Sequence, residues 1–143
     1  MRMLELYKQK KEIVNYLIAG VLTTLVSLLT YYFVINILFT TKTALNIQVA
    51  NVISWIVAVL FAYFTNKIFV FESGSKGNEA KKEFLKFVIS RLFTLFMDMA
   101  LMFIFVTLLR LDDTIVKLCV QIIIIVANYI LSKIIVFRKA NKN

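Results

Sequence analysis

Residues 13–41 read IVNYLIAGVLTTLVSLLTYYFVINILFTT, 29 positions without one Asp, Glu, Lys or Arg. A helix rises ~1.5 Å per residue, so about 20 such positions cross the hydrocarbon core of a bilayer. A second charge-free run follows at once, residues 43–66. A third apolar stretch, 84–109, is interrupted by Lys86, Arg91 and Asp98, and a fourth, 118–137, carries only Lys133. None alternates with period two, and all exceed the ~10 residues of a barrel strand. The first run is too long for a signal-peptide core and lacks a small-residue cleavage site after it, so it is expected to remain in the mature protein.

The whole chain agrees. Its 143 residues are 61% hydrophobic, with no proline and no histidine, against about 45–50% apolar in soluble domains. A domain this small cannot hide that excess from water. Without histidine the usual general base and commonest metal ligand are missing, and one cysteine makes no disulfide. A zinc enzyme, a His-dependent hydrolase and a disulfide scaffold are excluded. No nucleophile arrangement or nucleotide-binding loop is present, so the chain is not expected to be an enzyme or to hold a metal or cofactor.

The net charge of +9 would point to nucleic acid in a soluble protein. Its placement points elsewhere. Arg2, Lys8, Lys10 and Lys11 precede the first run; Lys67, Lys76, Lys81, Lys82 and Lys86 surround the middle loop; Lys133, Arg138, Lys139 and Lys142 close the chain. Only Lys42, Arg110 and Lys117 fall on the other side, with Arg91 inside a span. The positive-inside rule then puts both termini and the middle loop in the cytoplasm, with no nucleic-acid partner. The expected fold is an all-α membrane protein, one domain over residues 1–143. Its four transmembrane helices cover about 13–39, 45–69, 84–109 and 117–137, forming two tandem hairpins joined by a cytoplasmic loop at about 72–82. The Ser73-Gly74-Ser75 and Gly77-Asn78 pairs mark that loop as a flexible linker.

The hairpins resemble each other. Lys10-Lys11-Glu12 matches Lys81-Lys82-Glu83 at an offset of 71, which also puts Thr23 on Thr94. At an offset of 66, Tyr63 falls on Tyr129, Lys67 on Lys133, and Val70-Phe71 on Val136-Phe137. This is the pattern of a parallel repeat, an arrangement known among transporters.

Ionisable groups at membrane depth cost ~2.5–3.5 kcal/mol each on insertion scales, so they need a partner or a purpose. Arg91 lies roughly 10 Å below the cytoplasmic surface at ~1.5 Å per residue. Asp98, two turns deeper, shares its face, with Thr94 between them and Phe87 one turn before. In span four Lys117, Gln121, Asn128 and Ser132 fall on one stripe. In span two Gln48, Asn51, Trp55, Ala58, Ala62 and Asn66 do so. Such stripes are expected to face other helices or a wet cavity. Two readings stand for Asp98: a ligand, or a counter-charge for Arg91. Small residues such as Ala62 also serve plain helix packing. Arginine binds phosphate through a planar fork, and amides and carboxylates bind sugar hydroxyls. A lipid-linked phosphosugar satisfies both.

These residues also carry a family resemblance. Tyr16-Leu17-Ile18-Ala19-Gly20 with Thr23, Ala62-Tyr63-Phe64-Thr65-Asn66-Lys67 with Val70-Phe71, Phe87 with Arg91, and Asn128-Tyr129 with Lys133 and Val136-Phe137 resemble the GtrA-like (GtcA-like) family of small four-span membrane proteins. Lys67 and Lys133 stand where many relatives have Arg. The resemblance implies translocation of a polyprenyl-phosphate-linked sugar, such as undecaprenyl-phosphate glucose, across the bacterial cytoplasmic membrane for decoration of surface polymers such as teichoic acid. It implies two partners: a cytoplasmic-side glycosyltransferase that makes the lipid-linked sugar, and an outer-face multi-span glycosyltransferase that uses it. Carried onto matching positions, it implicates Phe87, Arg91, Lys117, Asn66 and Asn128 in binding, with Ala62, Val70 and Phe71 as shape or gating residues. Asp98 joins the binding set on the strength of its face. Four helices enclose little space, so a homo-oligomer is expected. Two other readings remain: a non-transporting adaptor for a glycosyltransferase, or a small multidrug exporter, which resembles its own family through an acid in span one that this chain lacks.

Overall fold

The computed structural model describes residues 1–138; Lys139 and Lys142, counted above among the cytoplasmic cations, lie outside them. It contains four helices long and apolar enough to cross a membrane, Arg2–Leu38, Ala44–Val70, Asn78–Leu108 and Asp113–Val136. The α-helical parts are α1 (Arg2–Phe33), α2 (Ala44–Thr65), α3 (Asn78–Met102) and α4 (Asp113–Leu131). Each continues into a π-helical turn: Val34–Leu38, Asn66–Val70, Phe103–Leu108 and Ser132–Val136 respectively. The protein is an all-α, four-span membrane protein.

Between 11% and 33% of each apolar window is buried within the protein. Many leucines, isoleucines and phenylalanines, Leu29, Phe69, Phe96 and Ile122 among them, are exposed on the protein's surface. In water that surface would drive aggregation; in lipid it is the surface that belongs there.

Two helices start before their apolar stretch. The first begins at Arg2, eleven residues ahead of the charge-free run, because a charged segment rich in Lys, Glu and Leu has good helix propensity outside the bilayer. The third begins at Asn78, inside the stretch expected to be loop, where Glu79-Ala80-Lys81-Lys82-Glu83 are helix formers. Apolarity marks where a helix is in the membrane, not where it begins. The other two starts are capped. Thr43 accepts the amide of Asn46 (3.2 Å), and Asp112 accepts those of Thr114 and Ile115 (3.0 and 3.1 Å), each satisfying donors the helix cannot.

The described residues form two compact units, one up to Ser73 and one from Gly74 onward. In the first, Val34, Ile35 and Ala50 form a core covered by Tyr31, Phe39, Ile47 and Ile53. The buried residues of α2 are Ala50, Ser54, Ala58, Val59, Ala62 and Tyr63; the first, second, third and fifth set one small residue on each turn, the pattern that lets membrane helices approach closely. The polar stripe expected in span two coincides with it only at Ala58, Ala62 and Asn66; Gln48 and Asn51 are exposed. Polarity did not select the inward face, which combines small residues with Val59 and Tyr63. In the second unit Val116, Val120 and Ile124 form a core with Met97, Leu101, Met102, Phe105 and Val106. There the inward stripe of the fourth helix and its π turn holds Asn128 and Ser132, and Lys117 and Gln121 are exposed.

Two helices leave through a residue in the left-handed region, Glu72 (φ 46°) and Arg110 (φ 54°). The next amide then reaches back six residues, Ser73 to the carbonyl of Lys67 (2.8 Å) and Leu111 to that of Phe105 (3.0 Å). This is one residue wider than the usual six-to-one helix closure, as a π turn requires.

Candidate functional site

The implicated residues divide between the units. Ala62, Asn66, Val70 and Phe71 occupy the end of the second helix, and Phe87, Arg91, Asp98, Lys117 and Asn128 belong to the second hairpin.

In the first unit, Ala62, Asn66 and Val70 are all buried, spaced four residues apart. Asn66 is 2% exposed. Its side-chain amide donates to the carbonyl of Ala62 (2.6 Å), and its backbone carbonyl accepts from Phe71 (2.9 Å) across the π turn. Its side-chain oxygen, Oδ1, has no hydrogen-bond partner. A buried acceptor without a donor costs about 1–3 kcal/mol, so its presence asks for a ligand or an explanation.

In the second unit, Phe87 is fully buried, its ring tilted on that of Phe137 with centroids 6.1 Å apart. One helical turn on, the Arg91 guanidinium lies over the Phe87 ring at 4.7 Å. Stacking of this kind holds the fork by its face. The five N–H groups along the edge stay available for a planar or tetrahedral anion. Arg91 is half-buried.

Asp98 does not answer Arg91. Its carboxylate pairs with Lys117, whose Nζ lies 3.1 and 3.0 Å from the two oxygens. Lys117 stands four residues into α4, and a lysine so near a membrane surface ordinarily stretches toward water. Here it reaches instead to a carboxylate on α3. The counter-charge reading named Arg91, and the cation that the structure sets beside Asp98 is Lys117 instead.

Asn128 is buried, and its Oδ1 accepts from the hydroxyl of Thr94 (2.8 Å). Interhelical bonds of this kind in membranes average ~0.6 kcal/mol. They fix the register of α3 on α4. The sequence puts Thr94 on that face without showing this role, and it marks Phe137 only as part of a repeated ending, not as the ring that backs Phe87. The signal for Phe137 was present in the paired Val-Phe endings.

Positions 66 apart share local geometry. Lys67 lies over the Tyr63 ring at 5.9 Å and Lys133 over that of Tyr129 at 5.5 Å. Phe71 and Phe137 donate across π turns to Asn66 and Ser132, both at 2.9 Å.

A family model described as the GtrA/DPMS transmembrane domain matches residues 15–137. The chain belongs to that family. The GtrA/DPMS match therefore begins within α1, at Asn15, and runs through the other three helices to Phe137. Among relatives, the membrane protein YwcD of Bacillus subtilis is 34% identical over 128 residues, 89% of this chain and 97% of that protein. The cell wall teichoic acid glycosylation protein GtcA of Listeria monocytogenes is 34% identical over 127 residues, 88% of this chain and 84% of that one. Its namesake in Listeria innocua is 33% identical over the same share of both chains. No solved structure matches.

Proposed function

We propose that this protein moves a polyprenyl-phosphate-linked monosaccharide across the bacterial cytoplasmic membrane, supplying glycosylation of a cell-wall polymer such as teichoic acid. The observation that carries the reading is Arg91 stacked on Phe87 inside an apolar span. A cation fixed at that depth, with its donor edge free, suits a lipid phosphate. The names of the Listeria relatives supply the polymer.

Both termini and the loop between the hairpins face the cytoplasm, where the cations concentrate. Arg91 receives the phosphate as the lipid enters from that side, while the polyprenyl chain stays in the bilayer. Asn66 accepts a sugar hydroxyl on its unpartnered Oδ1. Asn128 has its carbonyl occupied by Thr94, so its amide N–H groups are the part left for a sugar oxygen. Further along, the phosphate competes with Asp98 for Lys117. The freed carboxylate accepts sugar hydroxyls, then recovers the lysine when the lipid leaves at the outer face. Ala62, Val70 and Phe71 shape the route, and no bond of the substrate is made or broken, so the protein is not an enzyme. With no nucleotide-binding loop, net flow follows the gradient kept by the glycosyltransferase that makes the lipid inside and the one that consumes it outside. The geometry shared by positions 66 apart supports a parallel repeat, and the small interior of four helices supports a homo-oligomer.

Deleting the gene is expected to strip the sugar from the polymer while the lipid-linked sugar builds up unspent. Compositional analysis of purified wall polymer, with lipid extracts alongside, checks this. Unchanged polymer glycosylation would contradict it.

A further inference from the structure

The first hairpin carries a groove of about 530 Å³, within the range of small-molecule sites. Its walls have matched spacing. Positions 11, 15, 18, 19 and 22 of α1 face positions 61, 65, 68, 69 and 72 of the second helix and its end. The helices are antiparallel, so Lys11 and Glu72 share one end and Leu22 and Phe61 the other. The side-chain amide of Asn15 donates to the carbonyl of Phe69 (3.3 Å), tying the walls together near the charged end.

From Lys11 to Leu22 is eleven residues, about 16 Å of helix, or roughly half the ~30 Å hydrocarbon core. The groove is thus one leaflet deep, charged at the membrane surface and apolar below. Its mouth holds one cation and one acid. A headgroup carrying only negative charge, including a polyprenyl phosphate, would satisfy Lys11 and be repelled by Glu72. A headgroup with a phosphate and an ammonium answers both.

We infer that this groove docks one zwitterionic aminophospholipid of the bilayer, its phosphate on Lys11, its ammonium on Glu72 and an acyl chain along Ile18, Leu22 and Phe61. The site lies wholly in the first hairpin and does not depend on the sugar-lipid reading.

Full-length protein in mixed micelles with equal phosphatidylethanolamine and phosphatidylglycerol, read by native mass spectrometry, tests it. Wild type is expected to retain the ethanolamine lipid about fivefold over the glycerol lipid, a preference of ~1 kcal/mol. Glu72→Gln brings the ratio toward one, Lys11→Gln lowers retention of both lipids while keeping the preference, and Glu72→Lys reverses it. The double exchange Lys11→Glu with Glu72→Lys restores it. Both positions are exposed, so helix content by circular dichroism is expected to be unchanged in every variant. Equal retention by wild type, or a preference indifferent to these substitutions, overturns the proposal. So does displacement of the ethanolamine lipid by added undecaprenyl phosphate, which would make the groove a substrate entrance.

Discussion

Arg91→Ala is expected to reduce translocation of the lipid-linked sugar by about 30- to 1,000-fold, the ~2–4 kcal/mol carried by one well-placed charged partner. The substitution removes both the fork and its stack on Phe87, 4.7 Å away. Failure to insert does not explain such a loss. Arginine is the costly residue at that depth, and alanine there eases membrane insertion. Arg91→Lys separates charge from geometry. It keeps the cation but loses the planar fork and the stacking face, so an intermediate rate, nearer alanine than wild type, is expected. Rates per molecule of reconstituted protein check both; an alanine variant at wild-type rate would remove Arg91 from the route.

Asn66→Ala is expected to separate stability from activity. An ordinary buried asparagine is missed by the fold when removed. Asn66 holds an unpartnered acceptor in its 2%-exposed side chain, so its removal relieves about 1–3 kcal/mol of unmet desolvation. It also gives up the bond to Ala62 and some packing. These changes offset, and the thermal midpoint should stay within a few degrees of wild type. Translocation should still fall about tenfold, the weight of one lost hydrogen bond to a sugar hydroxyl. A variant that is clearly destabilised yet transports normally once folded would mark Asn66 as a packing residue.

The spans were the most legible part of the chain. A run such as residues 13–41 has no home but lipid, and charge-free length is read directly. Where helices begin was less legible, because Arg2–Glu12 and Asn78–Glu83 are polar helix outside the apolar window. Helix phase was half legible. Polar residues were expected to mark the inward face of α2, but Ala50 and Ser54 turned inward and Gln48 and Asn51 outward, since close approach in lipid selects small side chains. Across α3 and α4 the limit was register. The seven-residue spacing that put Asp98 on the face of Arg91 is visible in one helix. That Lys117, nineteen residues on, reaches the carboxylate first depends on how the hairpin closes. The Thr94–Asn128 bond was hidden for the same reason. Phe87 beneath Arg91, by contrast, is an i, i+4 pair on one helix, and sequence alone placed it.

Purified protein in liposomes, with a labelled undecaprenyl-phosphate sugar in the inner leaflet and a membrane-impermeant sugar-oxidising reagent outside, tests the central claim most directly. Intrinsic translocation predicts that the protein alone, with no glycosyltransferase present, makes the inner-leaflet sugar reactive within minutes, while protein-free liposomes keep it protected. Sugar that stays protected until a glycosyltransferase is added would contradict that claim and make the protein an adaptor.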